Sequence, residues 1–179
     1  MEAAGADFIG FVVDPESKRY VPLARAVELG LLCRSARPVL VARRLEVPDV
    51  PLHFVRQAND HVAPASGAEH WLSTDGSAEP PTFVDLLLLD AHSERGMGGT
   101  GNRVSEEFAA EVVRSSRIPV VLAGGLGPDN VAEAIAAVRP SGVDACSGTE
   151  SKPGVKDPDL VRAFVRIAQE ALHRAHRGG

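Results

Sequence analysis

Four consecutive leucines, Leu86 to Leu89, run into Asp90. An apolar run of that length reads as a buried strand, and a carboxyl group at its mouth is partly withdrawn from water. Desolvation raises such a pKa and suits the group to give up a proton as a general acid. Capping a helix or anchoring a loop is the other use for an aspartate there. Downstream, Val120 to Ala123 ends in Gly124-Gly125, and Val143 to Ser147 reads as a second strand closing on Ser147-Gly148. Backbone N–H groups left uncovered by side chains at such turns cradle a phosphate, helped by the partial positive charge of a helix N-terminus. In a barrel of alternating strands and helices, the loops after the last two strands are the usual phosphate site. Arg19 carries a planar fork able to clamp a carboxylate or phosphate, its alternative being a solvated charge after a strand.

The other reactive groups are less pointed. Gly98-Gly99-Thr100-Gly101 lacks the Lys-Ser or Lys-Thr ending of a nucleotide-binding loop and as an isolated motif reads as a turn. Cys146 sits one residue before the Ser147-Gly148 turn, placed either to reach a pocket or to fill core as a small hydrophobe, and Cys33 belongs to a helix end. The six histidines show no metal-ligand spacing, and only His92 stands near Asp90.

The elements that must hold these groups alternate between strand and helix. Met1 to Asp7 reads as the end of a helix with Gly5 as its C-cap, followed by a strand over Phe8 to Val13. Asp14-Pro15-Glu16-Ser17 makes a turn, and Pro22 opens a helix to about Cys33 with Leu23, Val27 and Leu31 spaced for its buried face. Val39 to Ala42 is a short apolar strand. Leu52 to Val55 and His70-Trp71-Leu72 are strand candidates beside and within a stretch, Gln57 to Thr82, rich in Asn, Asp, Ser, Gly and Pro. Ser105 caps a helix carrying Phe108 and Val112. Val131, Ile135 and Val138 mark one face of the helix that follows Gly127-Pro128-Asp129. Asp157-Pro158 starts the last helix, with Leu160, Val161, Phe164, Ile167 and Ala171 inward and His173 to Gly179 as a frayed tail.

Composition narrows the class. The 179 residues fit one domain, 1–179. Nineteen Lys plus Arg against twenty-four Asp plus Glu, a net charge of −5, argue against nucleic acid and anionic membrane as partners. No apolar run reaches the about 18 residues of a membrane span. Two cysteines without CxxC spacing or a secretory leader fit a reduced, cytoplasmic chain. Either a monomer or a homodimer is expected, the latter as a way to cover an open barrel edge.

Together, FIGFVVDPESKRYV, LLLLDAHSERGMGGTG, PVVLAGGLGPDNVAEAI and GVDACSGTESKPGVKDPDLVRAF closely resemble phosphoribosylanthranilate isomerase, a family of the tryptophan pathway. The likeness runs from the start through Val21 and over nearly everything from Val84 to Phe164. It implies a (βα)8 TIM barrel, here shortened or incomplete, with the first strand and helix missing and the middle helices eroded. It implies isomerisation of N-(5-phosphoribosyl)anthranilate to 1-(2-carboxyphenylamino)-1-deoxyribulose 5-phosphate, an Amadori rearrangement with no cofactor or metal. On that likeness Asp90 protonates the ribose ring oxygen, opening the ring to a Schiff base. A cysteine on the family's first strand then removes the C2 proton, giving an enolamine that tautomerises to the ketone. Arg19 holds the anthranilate carboxylate, and Gly101, Gly124, Gly125, Ser147 and Gly148 surround the phosphate. The family's Lys-Ile-Cys-Gly strand would precede Met1, and neither Cys33 nor Cys146 occupies its place. The expectation is therefore a chain that binds phosphorylated ligand and turns over poorly. The alternatives are a repurposed barrel that binds a sugar phosphate or a partner protein without catalysis, and a related phosphate-binding barrel with other chemistry.

Overall fold

The computed structural model describes residues 1–43, 55–58, 69–90 and 105–177. They fall into two compact units, Met1–Leu72 with Pro80–Asp85, and Ser73–Glu79 with Leu86–Gly179.

In the first unit parallel strands pair in chain order: β1 (Phe8–Val12), β2 (Arg37–Val41), β3 (Val55–Ala58) and β4 (His70–Thr74), which belongs to this unit through Leu72. Phe8 lies opposite Arg37, Val39 opposite Val55, and Arg56 opposite His70. Parallel neighbours need a crossover rather than a hairpin, and α1 (Leu23–Gly30) lies on the connection from β1 to β2. The buried face of α1 is not the one its leucines mark. Leu23 and Leu31 are exposed, whereas Ala26 and Gly30, one turn apart, are buried. Ala26 joins Leu40, Ala42 and Ala58 in a core that Phe11, Val13, Val21 and Val27 close off. Small residues on the buried face let a helix lie close to a sheet, and Leu23 and Leu31 face solvent instead.

Gly5, at φ 86°, ends the short 3-10 turn Glu2–Ala4 in the manner its sequence leads one to expect. Glu2 ties this turn to the chain ahead of β2: its Oε1 accepts from the N–H groups of Arg34 (2.7 Å), Ser35 (2.6 Å) and Ala36 (2.9 Å). These backbone donors, that of Ala36 foremost, hold the Glu2 carboxyl down at about 2.

In the second unit β5 (Leu86–Asp90), β6 (Val120–Ala123) and β7 (Gly142–Val143) pair in parallel. Leu87, Leu88 and Leu89 are buried, as four leucines in a row require. α2 (Glu106–Ser115) begins where Ser105 Oγ accepts the Phe108 N–H at 3.2 Å. Phe108 itself is largely exposed, with one ring edge turned toward Gly76. α3 (Val131–Val138) buries Val131, Ile135 and Val138, the face its sequence marks. α4 (Pro158–Arg177) starts at Asp157, whose Oδ1 accepts from the N–H groups of Asp159 (2.8 Å) and Leu160 (3.1 Å). Its buried stripe is Val161, Phe164, Ala168 and Ala171. Leu160 is exposed and Ile167 half-buried, because the stripe runs one residue to the side of the leucine. The expected frayed tail is helix through Arg177, where Arg174, His176 and Arg177 suit the negative end of the helix dipole.

Two features depart from the apolar pattern. β7 spans Gly142–Val143 rather than Val143 to Ser147, and the chain coils into a 3-10 turn over Ser147–Thr149. A hairpin follows, β8 (Glu150–Lys152) against β9 (Val155–Lys156), with Glu150 opposite Lys156.

The Glu2 contact has a definite pH signature. Its folded-state carboxyl lies at about 2 against an ordinary 4.5, so its contribution is complete above 4.5 and is lost as pH falls through about 2. Glu2→Gln should therefore melt below the wild type at neutral pH, with the two melting temperatures converging in acid. A difference that stays constant across that range would show that the carboxylate carries no such contribution.

Candidate active site

Asp90 is the last residue of β5, and its register partner is Ala123, the residue before Gly124. The half-buried acid and the first glycine turn therefore leave the sheet at the same end, on neighbouring strands. Gly124 and Gly125 both take left-handed φ, 96° and 63°, which a side chain would strain. Asn130, at the N-cap of α3, braces the turn: its Oδ1 accepts the Gly127 N–H at 2.8 Å and its Nδ2 donates to the Gly125 carbonyl at 3.0 Å.

The loop after β7 closes directly on this turn. A Cβ added to Gly148 would lie 2.0 Å from the Leu126 carbonyl oxygen and 2.9 Å from the Gly127 Cα. Only a hydrogen fits, and the two glycine-bearing loops meet backbone to backbone. The short β7 follows from the same contact. The Asp144 N–H still donates to the Leu122 carbonyl (2.9 Å), and the chain then turns off the sheet toward Leu126.

Two charged residues of this region carry no mark in the sequence pattern. Water reaches the side chain of Asp144, but enough protein surrounds it that desolvation raises its carboxyl above the ordinary range. The Lys156 charge opposes the rise and the Asp90 charge adds to it, which places the three groups in one local field. The half-buried Lys156 donates from Nζ to the carbonyls of Ala145 (3.2 Å) and Cys146 (2.8 Å) and to Thr149 Oγ1 (2.8 Å). Cys146 is exposed and its thiol meets Glu150 Oε1 at 3.8 Å. Cys33 is half-buried after α1, its thiol directed at the Leu29 carbonyl (3.8 Å) and pushed up by burial, which leaves it a poor nucleophile.

Arg19 belongs to the first unit, half-buried on the segment after β1, where its N–H donates to Ser17 Oγ at 3.1 Å. That segment also borders a cavity of about 390 Å³ at the C-terminal ends of β1 and β2, lined by Val12, Val41 and Ala42 and by Asp14, Glu16 and Arg43. Arg43 Nε donates to Asp14 Oδ2 at 2.7 Å and its guanidinium also pairs with Glu16. The Arg43 contact holds the Asp14 carboxyl below its usual range. Gly101, with the rest of the glycine-dense stretch, and His92 lie outside the described residues. Among the described residues no group of three or more His, Cys, Asp and Glu could hold a metal ion, and no helix is long and apolar enough to cross a membrane.

Comparison with known proteins adds an independent line. A sequence model described as N-(5'phosphoribosyl)anthranilate (PRA) isomerase matches residues 61–167. A Trichlorobacter lovleyi protein named N-(5'-phosphoribosyl)anthranilate isomerase is 41% identical over 189 residues, covering 94% of this chain and 90% of its own. The solved phosphoribosyl anthranilate isomerase from Thermotoga maritima matches with a TM-score of 0.73 at 27% identity, over 94% of this chain and 91% of that one. A phosphoribosyl anthranilate isomerase in complex with reduced 1-(o-carboxyphenylamino)-1-deoxyribulose 5-phosphate matches at 0.72 and 25% identity, over 94% and 90%. The fold class is the (βα)8 barrel in shortened form.

Two substitutions test this geometry. Gly148→Ala forces a methyl group onto the Leu126 carbonyl and should cost ~1–3 kcal/mol in urea unfolding, the range for overpacking; an unchanged midpoint would mean that the loops part freely. For Asp144 the folded pKa is raised above 3.8, so the residue lowers stability as pH climbs from 3.8 through the raised value. Asp144→Asn should then melt above the wild type at neutral pH and match it in acid. A variant less stable at neutral pH would contradict desolvation as the dominant influence.

Proposed function

Since the chain belongs to the N-(5'-phosphoribosyl)anthranilate isomerase family, we propose that Asp90 is its general acid and that the turns at Gly124-Gly125 and Ser147-Gly148 hold the substrate phosphate. The activity is the isomerisation of N-(5'-phosphoribosyl)anthranilate to 1-(2-carboxyphenylamino)-1-deoxyribulose 5-phosphate in tryptophan biosynthesis, and we place it in the cytoplasm. The observation that carries the site assignment is the contact of Gly148 with Leu126, taken with the register of Asp90 on Ala123. The first makes one bare backbone surface of two loops, and the second sets a carboxyl group beside it.

Chemically the division of labour is simple. A dianionic phosphate gains charge-assisted hydrogen bonds from backbone N–H groups. That binding energy, remote from the reacting carbons, holds the sugar in place for proton transfer. The Asp90 carboxyl protonates the ribose ring oxygen. As the C1–O bond breaks, the nitrogen lone pair forms the C1=N bond of a Schiff base and the ring oxygen leaves as a hydroxyl. A general base then takes the C2 proton, and the C2–H electron pair gives the enolamine, whose tautomer is the product ketone. An acid near the ring oxygen is therefore required for the first half of the reaction. We propose Arg19 for the anthranilate carboxylate and Gly101 for the phosphate, as the sequence resemblance implies.

Steady-state assays following the anthranilate chromophore test this reading. Asp90→Asn should lower kcat by roughly 10²–10⁴-fold, the usual worth of a general acid, with KM little changed. A wild type that binds the reduced product analogue and does not turn over would support the binding-only barrel instead. An Asp90→Asn variant with unaltered kcat would remove this residue from the chemistry.

A further inference from the structure

The contacts of Lys156 lead beyond the cradle to what sets its shape. An ammonium group has three N–H donors, and here all three have acceptors: the carbonyls of Ala145 and Cys146 and the hydroxyl of Thr149. Thr149 is itself almost fully buried, donates from Oγ1 to the Cys146 carbonyl at 3.1 Å, and accepts the Asp157 N–H on its own carbonyl at 2.9 Å. The Cys146 carbonyl is therefore gripped from two side chains. In a planar trans peptide the C=O and N–H point in opposite directions, and no cis peptide bond occurs among the described residues. Fixing the carbonyls of Ala145 and Cys146 on the lysine fixes the next N–H groups, those of Cys146 and Ser147, on the far side.

We propose that Lys156 is a positioning residue for the anion cradle, holding the carbonyl side of the Ala145–Thr149 turn so that its N–H side faces the substrate phosphate. This rests on the phosphate assignment made above for Ser147-Gly148. Its donors are all engaged by the turn, so Lys156 acts through the backbone rather than by touching the phosphate. The hairpin β8–β9 thereby acquires a purpose, because it returns the chain to deliver Lys156 under the turn, with Glu150 opposite it in register.

The test is the affinity for inorganic phosphate, measured by calorimetry, alongside KM and kcat for the substrate. Lys156→Met should weaken phosphate binding and raise KM by about tenfold or more, with kcat changed far less, as expected for loss of uniform binding. Lys156→Arg keeps the charge but replaces a compact three-donor head with a planar fork, and should lose most of that affinity too. A folded Lys156→Met or Lys156→Arg chain that binds phosphate as the wild type does would overturn the proposal. Should both prove unfolded by circular dichroism, Thr149→Val decides: about threefold weaker phosphate binding supports the proposal, and unchanged binding overturns it. A wild type that does not bind phosphate at all would instead overturn the cradle assignment beneath it.

Discussion

The close approach of Gly148 to the Leu126 carbonyl is the constraint on which the second unit depends. No side chain fits there, so the loops after β6 and β7 share one surface of bare backbone. The strand is cut to two residues, the first loop takes a positive φ at Gly124 and Gly125 that glycine adopts readily, and Asn130 braces that loop through Gly125 and Gly127. In the same unit α3 and α4 bury valines, an isoleucine and a phenylalanine.

The charges around the cradle have a consistent sense. Desolvation raises the Asp144 carboxyl, and the Asp90 charge adds to that rise. Lys156 moderates it by attracting the Asp144 carboxylate while its hydrogen bonds are taken up by the turn. A single lysine thus shapes both the backbone geometry and the electrostatics of the region. The first unit is organised differently. There Arg43 pairs with Asp14 and Glu16 among the residues that line a cavity together with Val12, Val41 and Ala42.

What could be read from the sequence follows from what local chemistry encodes. A strand of four leucines ending in Asp90 and glycine pairs after apolar runs are local signals, and the register and loop contact agree with them. Val131, Ile135 and Val138 were legible because a short helix with few polar residues offers one face to bury. The face of α1 was not, because its contact is made by Ala26 and Gly30, and small residues weigh little in an apolar pattern. β7 reads too long for a related reason: the contact that ends it is with Leu126, far from it in sequence. Lys156 and Asp144 escaped notice because a charge in a hairpin or after a strand looks solvated. The partners of Lys156 are mainly backbone carbonyls, which every residue possesses.

The place of the phosphate on this protein decides the assignment of both glycine-bearing loops. Titration of ¹⁵N-labelled wild type with reduced 1-(o-carboxyphenylamino)-1-deoxyribulose 5-phosphate, read by amide shifts, tests it most directly. The largest shifts are expected at the amides of Gly124, Gly125, Ser147 and Gly148. Saturation of the protein with those four amides unmoved and others displaced would contradict it.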